Sequence, residues 1–167
     1  IDQLSEEMLD RVMQVFFDLQ TIGRHTLALK GFGQVANFIQ TPRQRQELFF
    51  WIAESHAALN EHARSADLFL RSAGGDTRSA TTLRWSQSAR FKAAVQLTHA
   101  GLLPDARRIY LDLFQQADDR NQQLVLKQKI QDLELRQAWS PSSCPRNEKY
   151  RLAPVHIRTS RQRARGA

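Results

Sequence analysis

The capacity of this chain for chemistry rests on five histidines, one cysteine and a scatter of acids and serines. A zinc site on a helix needs imidazoles about one turn apart. His25, His56, His62, His99 and His156 never show that spacing, and the HExxH pattern is absent. Glu54 and His56 are two positions apart and would point to different faces of a helix. Adjacent Ser55 and His56 cannot align a hydroxyl with its base for the same reason. Gly31-Phe32-Gly33 is only a GxG inside a helical pattern with no strand before it, and Gly74-Gly75 lacks the lysine of a phosphate loop. Asp118-Asp119 falls at a predicted helix junction, where capping accounts for it. The single Cys144 excludes an intrachain disulfide and any multi-cysteine metal site. With no catalytic constellation, metal site or cofactor motif, the expectation is a non-enzymatic protein without a cofactor.

The elements around these residues are helical. Apolar residues recur at helical spacing up to Trp139, and Ala, Leu, Gln and Arg, all good helix formers, are common. Ser5 ahead of Glu6-Glu7 opens a first helix that runs to about Thr21, and Gly23 breaks it. A second helix covers about Arg24–Ile39. Thr41-Pro42-Arg43-Gln44 can form a capping box with proline in the first turn. It starts a third helix that reaches about Leu59, with Asn60 able to take a left-handed turn. A fourth helix stops at Gly74-Gly75, a fifth spans about Thr81–Ala100 before Gly101, and Pro104 opens a sixth that ends near Ala117. A seventh fills about Arg120–Ala138, ahead of Ser140-Pro141-Ser142-Ser143. No stretch approaches the ~20 apolar residues that span a bilayer. The chain opens at Ile1 without methionine, so it is expected to be a processed or truncated piece of something longer.

The helices pair, and the pairs repeat. Turn residues Gly23, Asn60 and Gly101 are 37 and 41 residues apart. Five residues past each stands a small residue (Ala28, Ser65, Ala106), and four further on an aromatic (Phe32, Phe69, Tyr110). Val35, Ser72 and Leu113 follow in register. Before the turns, each first helix carries its own apolar face: Val15, Phe16 and Leu19; Ile52, Ala53 and His56; Ala93, Ala94 and Leu97. This pattern resembles the tetratricopeptide repeat, two antiparallel helices in ~34 residues. The resemblance covers roughly 9–120 and is best at Phe49–Ser72. It implies an all-α, TPR-like α-solenoid of three helix-turn-helix repeats (about 9–42, 46–79 and 87–120) with a C-terminal capping helix at 120–138, all within a domain at 1–139. Phe16 and Leu113 depart from it at places usually given to small residues, and Arg90 at one usually given to a large apolar residue. The segment Trp51-Ile52-Ala53-Glu54-Ser55 also looks like bacterial cell-envelope repeat proteins, which leans the expected location that way.

In such a solenoid the first helices line a concave face. The resemblance therefore implies a surface for a protein or peptide partner formed by Met13, Phe17 and Gln20, by Glu47, Phe50 and Glu54, and by Phe91 and Val95. Phe17, Phe50 and Phe91 would make an apolar ladder. Two fates are open to those rings: burial under the chain's own helices, or contact with a partner. The seventh helix carries Leu124, Leu126, Ile130, Leu133 and Leu135 as material for a cap. Of the net charge of +7, residues 140–167 carry +6, with seven basic side chains and one acidic, against 17 basic and 16 acidic in residues 1–139. That tail is expected to be disordered. An alternative function, association with nucleic acid or an anionic surface, rests on it alone. The leading expectation is a scaffold or adaptor. Its partner and oligomeric state are left open by the sequence.

Overall fold

The computed structural model describes residues 6–39, 41–75 and 79–139. The expectations for Ser5, Cys144 and the tail at 140–167 lie outside them. The described residues form seven α-helices and no strand: α1 (Glu6–Thr21), α2 (His25–Val35), α3 (Pro42–Ala58), α4 (His62–Ala73), α5 (Ala80–His99), α6 (Leu103–Gln116) and α7 (Arg120–Ala138). A short 3-10 turn at Ala36–Phe38 ends α2 earlier than the sequence predicts. Among the described residues no helix is long and apolar enough to cross a membrane.

Two kinds of connection alternate. The turns after α1, α3 and α5 share one backbone conformation. Gly23, Asn60 and Gly101 have φ of 78°, 60° and 78°, a region closed to most side chains and open to glycine and asparagine. Around each, the same two bonds close the preceding helix. Arg24, Glu61 and Leu102 donate their N–H to the carbonyls of Leu19, His56 and Leu97 at 2.8, 2.9 and 2.9 Å. Gly23, Asn60 and Gly101 donate to Gln20, Ala57 and Thr98 at 3.0, 3.0 and 3.2 Å. This is the Schellman arrangement, which satisfies carbonyls that the helix itself leaves unpaired. The other kind of connection starts a helix with a side-chain cap. Thr41, Ser79 and Asp119 accept from the N–H of Gln44, Thr82 and Gln122 at 3.2, 3.1 and 3.1 Å. Thr41 and Gln44 complete the reciprocal box expected from the sequence.

Each helix packs on the next along the chain. Ser65 Oγ donates to the Ala53 carbonyl and Ser72 Oγ to the Gln46 carbonyl, both at 2.8 Å. The start of α4 therefore meets the end of α3, and the pair is antiparallel. Ala28, Ser65 and Ala106 are fully buried, as small residues must be where helix backbones approach closely. Alternate helices run parallel. Phe17 and Gln20 of α1 meet Trp51 and Ser55 of α3, while Phe50 and Glu54 of α3 meet Trp85 and Lys92 of α5. The core is three clusters in succession, centred on Phe32, on Phe50 with Phe69, and on Tyr110 with Leu126.

The departures from the repeat pattern have local compensation. The Phe16 ring lies where a Cβ on Gly31 would come within 2.2 Å of it, so a large residue on α1 is matched by none on α2. Arg90 reaches Asp112 at 3.2 Å and Gln116 at 3.4 Å, which ties α5 to α6 through charge where an apolar contact was expected. Two apolar expectations fail. Val15 is 55% exposed, because α1 is the outermost described helix on its side and only one face of it meets α2 and α3. On α7 only Leu126 and Leu133 are buried, with Ile130 partly so. Leu124 and Leu135 point away from α6 and are 58% and 61% exposed.

Candidate binding surface

The row of first helices carries two clefts separated by a filled junction. One cleft, of about 580 Å³, lies between α1 and α3 and is lined by Phe17, Gln20, Thr21, His25, Trp51, Glu54, Ala57 and Ala58. The other, of about 550 Å³, lies where α5, α6 and α7 meet. Its floor is Phe91, Leu113 and Leu126, and its rim includes Arg84, Ser88, Asp118 and Gln122. Between them, at the junction of α3 with α5, the Phe50 ring is enclosed. Its neighbours are Phe69 at 5.2 Å, Trp85 at 4.7 Å and Trp51 at 5.5 Å between ring centroids. Lys92, paired with Glu54, lies 5.4 Å from the Phe50 ring centroid as a cation over its face.

The expected ladder is thus interrupted. Phe50 is only 8% exposed, so its ring is part of the core and is not open to a partner. Two tryptophans on neighbouring first helices fill the space that the three-phenylalanine reading left for a ligand. Phe17 is half-buried, 4.6 Å from Trp51 and 6.3 Å from Phe32. Phe91 is half-buried, 5.7 Å from Tyr110. These two rings border the two clefts. Gln20 lines the first cleft but is already engaged, donating to the Trp51 carbonyl and the Ser55 hydroxyl at 2.7 Å each. Glu54 lines it too, with Lys92 as partner. Met13 packs against the first core cluster and Val95 against the third. Val95 also borders a smaller hollow with His99 and Asp132. Glu47 lies elsewhere, paired with Arg43 at 3.1 Å in a hollow of about 200 Å³ beside Trp85.

The sequence reading overlooked Trp51. The signal was the run Phe49-Phe50-Trp51-Ile52, four large apolar residues in succession, which one helix face cannot bury. A helix carrying such a run must be covered on several sides, and α3 is.

The histidines take separate roles. His56 is buried and its Nδ1 meets Glu61 at 2.8 Å, next to the turn that Asn60 makes. His62 stacks on His99 at 5.1 Å and meets Gln96. His25 lines the first cleft, with its Nδ1 buried and without a hydrogen-bond partner. Tyr110 lines the smaller hollow with Val95, Thr98 and His99; burial pushes its phenol above the ordinary value, and a hydrogen bond with Thr98 partly offsets the shift. Asp119 caps α7, as the sequence suggested. No protein-family model, curated protein or solved structure matches the chain.

Proposed function

We propose that this is a non-enzymatic, TPR-like α-solenoid of three helix-turn-helix repeats, capped by α7, and that it acts as an adaptor. A segment of a partner protein lies across the first helices and places apolar side chains in the clefts beside Phe17 and Phe91. The observation that carries this reading is the pair of clefts of nearly equal size on one row of parallel helices, each bordered by a half-buried phenylalanine. Three turns of one conformation support the repeat architecture, and aromatic side chains left partly uncovered are of the kind enriched at interfaces. The filled centre narrows the surface to two anchor points.

The test uses a displayed library of random peptides panned against the protein. Affinities of the selected peptides are then measured on Ser88→Arg and Ala58→Arg chains. Both residues are exposed and line a cleft, so the new side chains obstruct the clefts while the core stays intact. Affinity is expected to fall at least about tenfold, which is ~1.4 kcal/mol, with unchanged melting temperatures. Peptides that bind equally well to both variants overturn the reading.

A further inference from the structure

The outer face of α7 carries an organised pattern that the capping role does not use. Leu126 and Leu133 face α6. On the opposite side Asn121, Leu124, Gln128, Gln131, Leu135 and Ala138 alternate at spacings of three and four residues, and all six are exposed. That alternation is the seam of a two-helix coiled coil, in which every such residue faces the partner helix. Four of the six are Leu-Gln-Gln-Leu, which reads the same in both directions.

We infer that α7 pairs with the α7 of a second copy of this chain, antiparallel, about a twofold axis level with residues 129–130. The symmetry of the seam selects the occupant, and the charged flanks select the direction. Across such an axis Leu124 lies opposite the partner's Leu135, and Gln128 opposite the partner's Gln131. Each leucine meets a leucine, and each amide meets an amide that can both donate to it and accept from it. A parallel pairing in register would set each residue against its own copy and match the seam equally well, so the seam residues alone leave the direction open. The flanks favour the antiparallel choice, because a parallel pairing would set Glu134 beside the partner's Trp139 and leave its charge without a counterpart. Lys127 and Glu134 lie on the same side of the seam, seven residues apart. An antiparallel twofold brings Lys127 beside the partner's Glu134, and Glu134 beside the partner's Lys127, giving two attractive pairs. Glu134 also accepts from Arg107 of α6 at 2.8 Å, which fixes its carboxylate at the edge of the seam. The central glutamine layers set the register at the expense of affinity, as polar seam residues do. The pairing is therefore weak and depends on concentration. It is an isologous contact that closes at two copies and leaves the clefts beside Phe17 and Phe91 to other ligands.

Sedimentation equilibrium of the full chain over concentrations up to about 1 mM tests the inference. A monomer–dimer equilibrium is expected. Leu124→Glu and Leu135→Glu are each expected to raise the dissociation constant at least about tenfold, with no fall in melting temperature, because both side chains are exposed in the monomer. The direction is read from charge. Lys127→Glu and Glu134→Lys chains should each associate more weakly than the original, since every flanking pair becomes repulsive. Mixed together, they should form a heterodimer at least as tight as the original dimer. A chain that stays monomeric throughout overturns the inference, and so does a dimer indifferent to both leucine substitutions. A mixture of the charge variants that fails to recover association overturns the antiparallel arrangement.

Discussion

Phe50 of α3 and Phe91 of α5 stand on successive first helices and meet different surroundings. Trp85 of α5 lies 4.7 Å from the Phe50 ring, and Lys92 from the same helix covers its face. At the next junction α7 brings the aliphatic Leu126 instead. Leu126 is buried, and a cleft of about 550 Å³ remains beside Phe91. The backbone devices that begin α5 and α7 are alike, a side-chain cap from Ser79 and another from Asp119. The difference therefore lies in side-chain volume. An indole from the following helix completes a core, and a branched aliphatic residue leaves a site. In a stack of similar helix pairs, one residue on the next helix decides whether an aromatic stabilises the fold or remains available for recognition.

The largest expected effect separates the two phenylalanines. Phe50→Ala should destabilise the chain by about 3–5 kcal/mol, as truncation of a core phenylalanine does. Phe91→Ala, at a half-exposed ring, should cost less than about 2 kcal/mol. Equal losses in chemical denaturation would break the comparison. A substitution at the next helix sharpens it. Trp85→Leu gives the filled junction the kind of residue that α7 supplies and removes the bond from Trp85 Nε1 to Ser72 Oγ. A loss of about 2 kcal/mol should accompany new binding of an apolar fluorescent dye over Phe50. Dye binding unchanged from the original chain would mean that Trp85 is not what closes the junction.

The smallest effect concerns Tyr110, on which the Phe91 ring packs. Tyr110 is 1% exposed and its phenol is held above the ordinary value by burial. The folded state therefore keeps its proton where the unfolded chain, titrating near pH ~10, begins to lose it. Stability from this residue is fully present below about pH 10 and falls as pH rises through the higher folded value. Alkaline denaturation should be less steep in Tyr110→Phe than in the original chain. Identical alkaline limbs would mean that solvent reaches the phenol through the hollow beside Val95 and His99, and that the contact of α5 with α6 is more open than the packing of Phe91 on Tyr110 implies.

The sequence by itself determined the local structure. Gly23, Asn60 and Gly101 mark the three turns because only glycine and asparagine enter a left-handed conformation at small cost. Thr41 and Asp119 mark helix starts because a short polar side chain can satisfy an N–H three residues on. Ala28, Ser65 and Ala106 mark the crossings because a larger side chain would hold the helices apart. Each of these signals acts within a few residues or repeats with the helix period, so it is visible in one dimension. Which apolar residues close the core was decided by the tertiary structure alone. Phe17, Phe50 and Phe91 look alike along the chain, yet Phe50 is enclosed by tryptophans drawn from its own helix and the next. Leu124 and Leu126 are two positions apart and face opposite ways, one to solvent and one to α6. The physical reason is that burial depends on what the neighbouring helix brings to the contact. That residue lies about 35 positions away, as Gln20 and Ser55 do, and its size is independent of the local pattern that places it there.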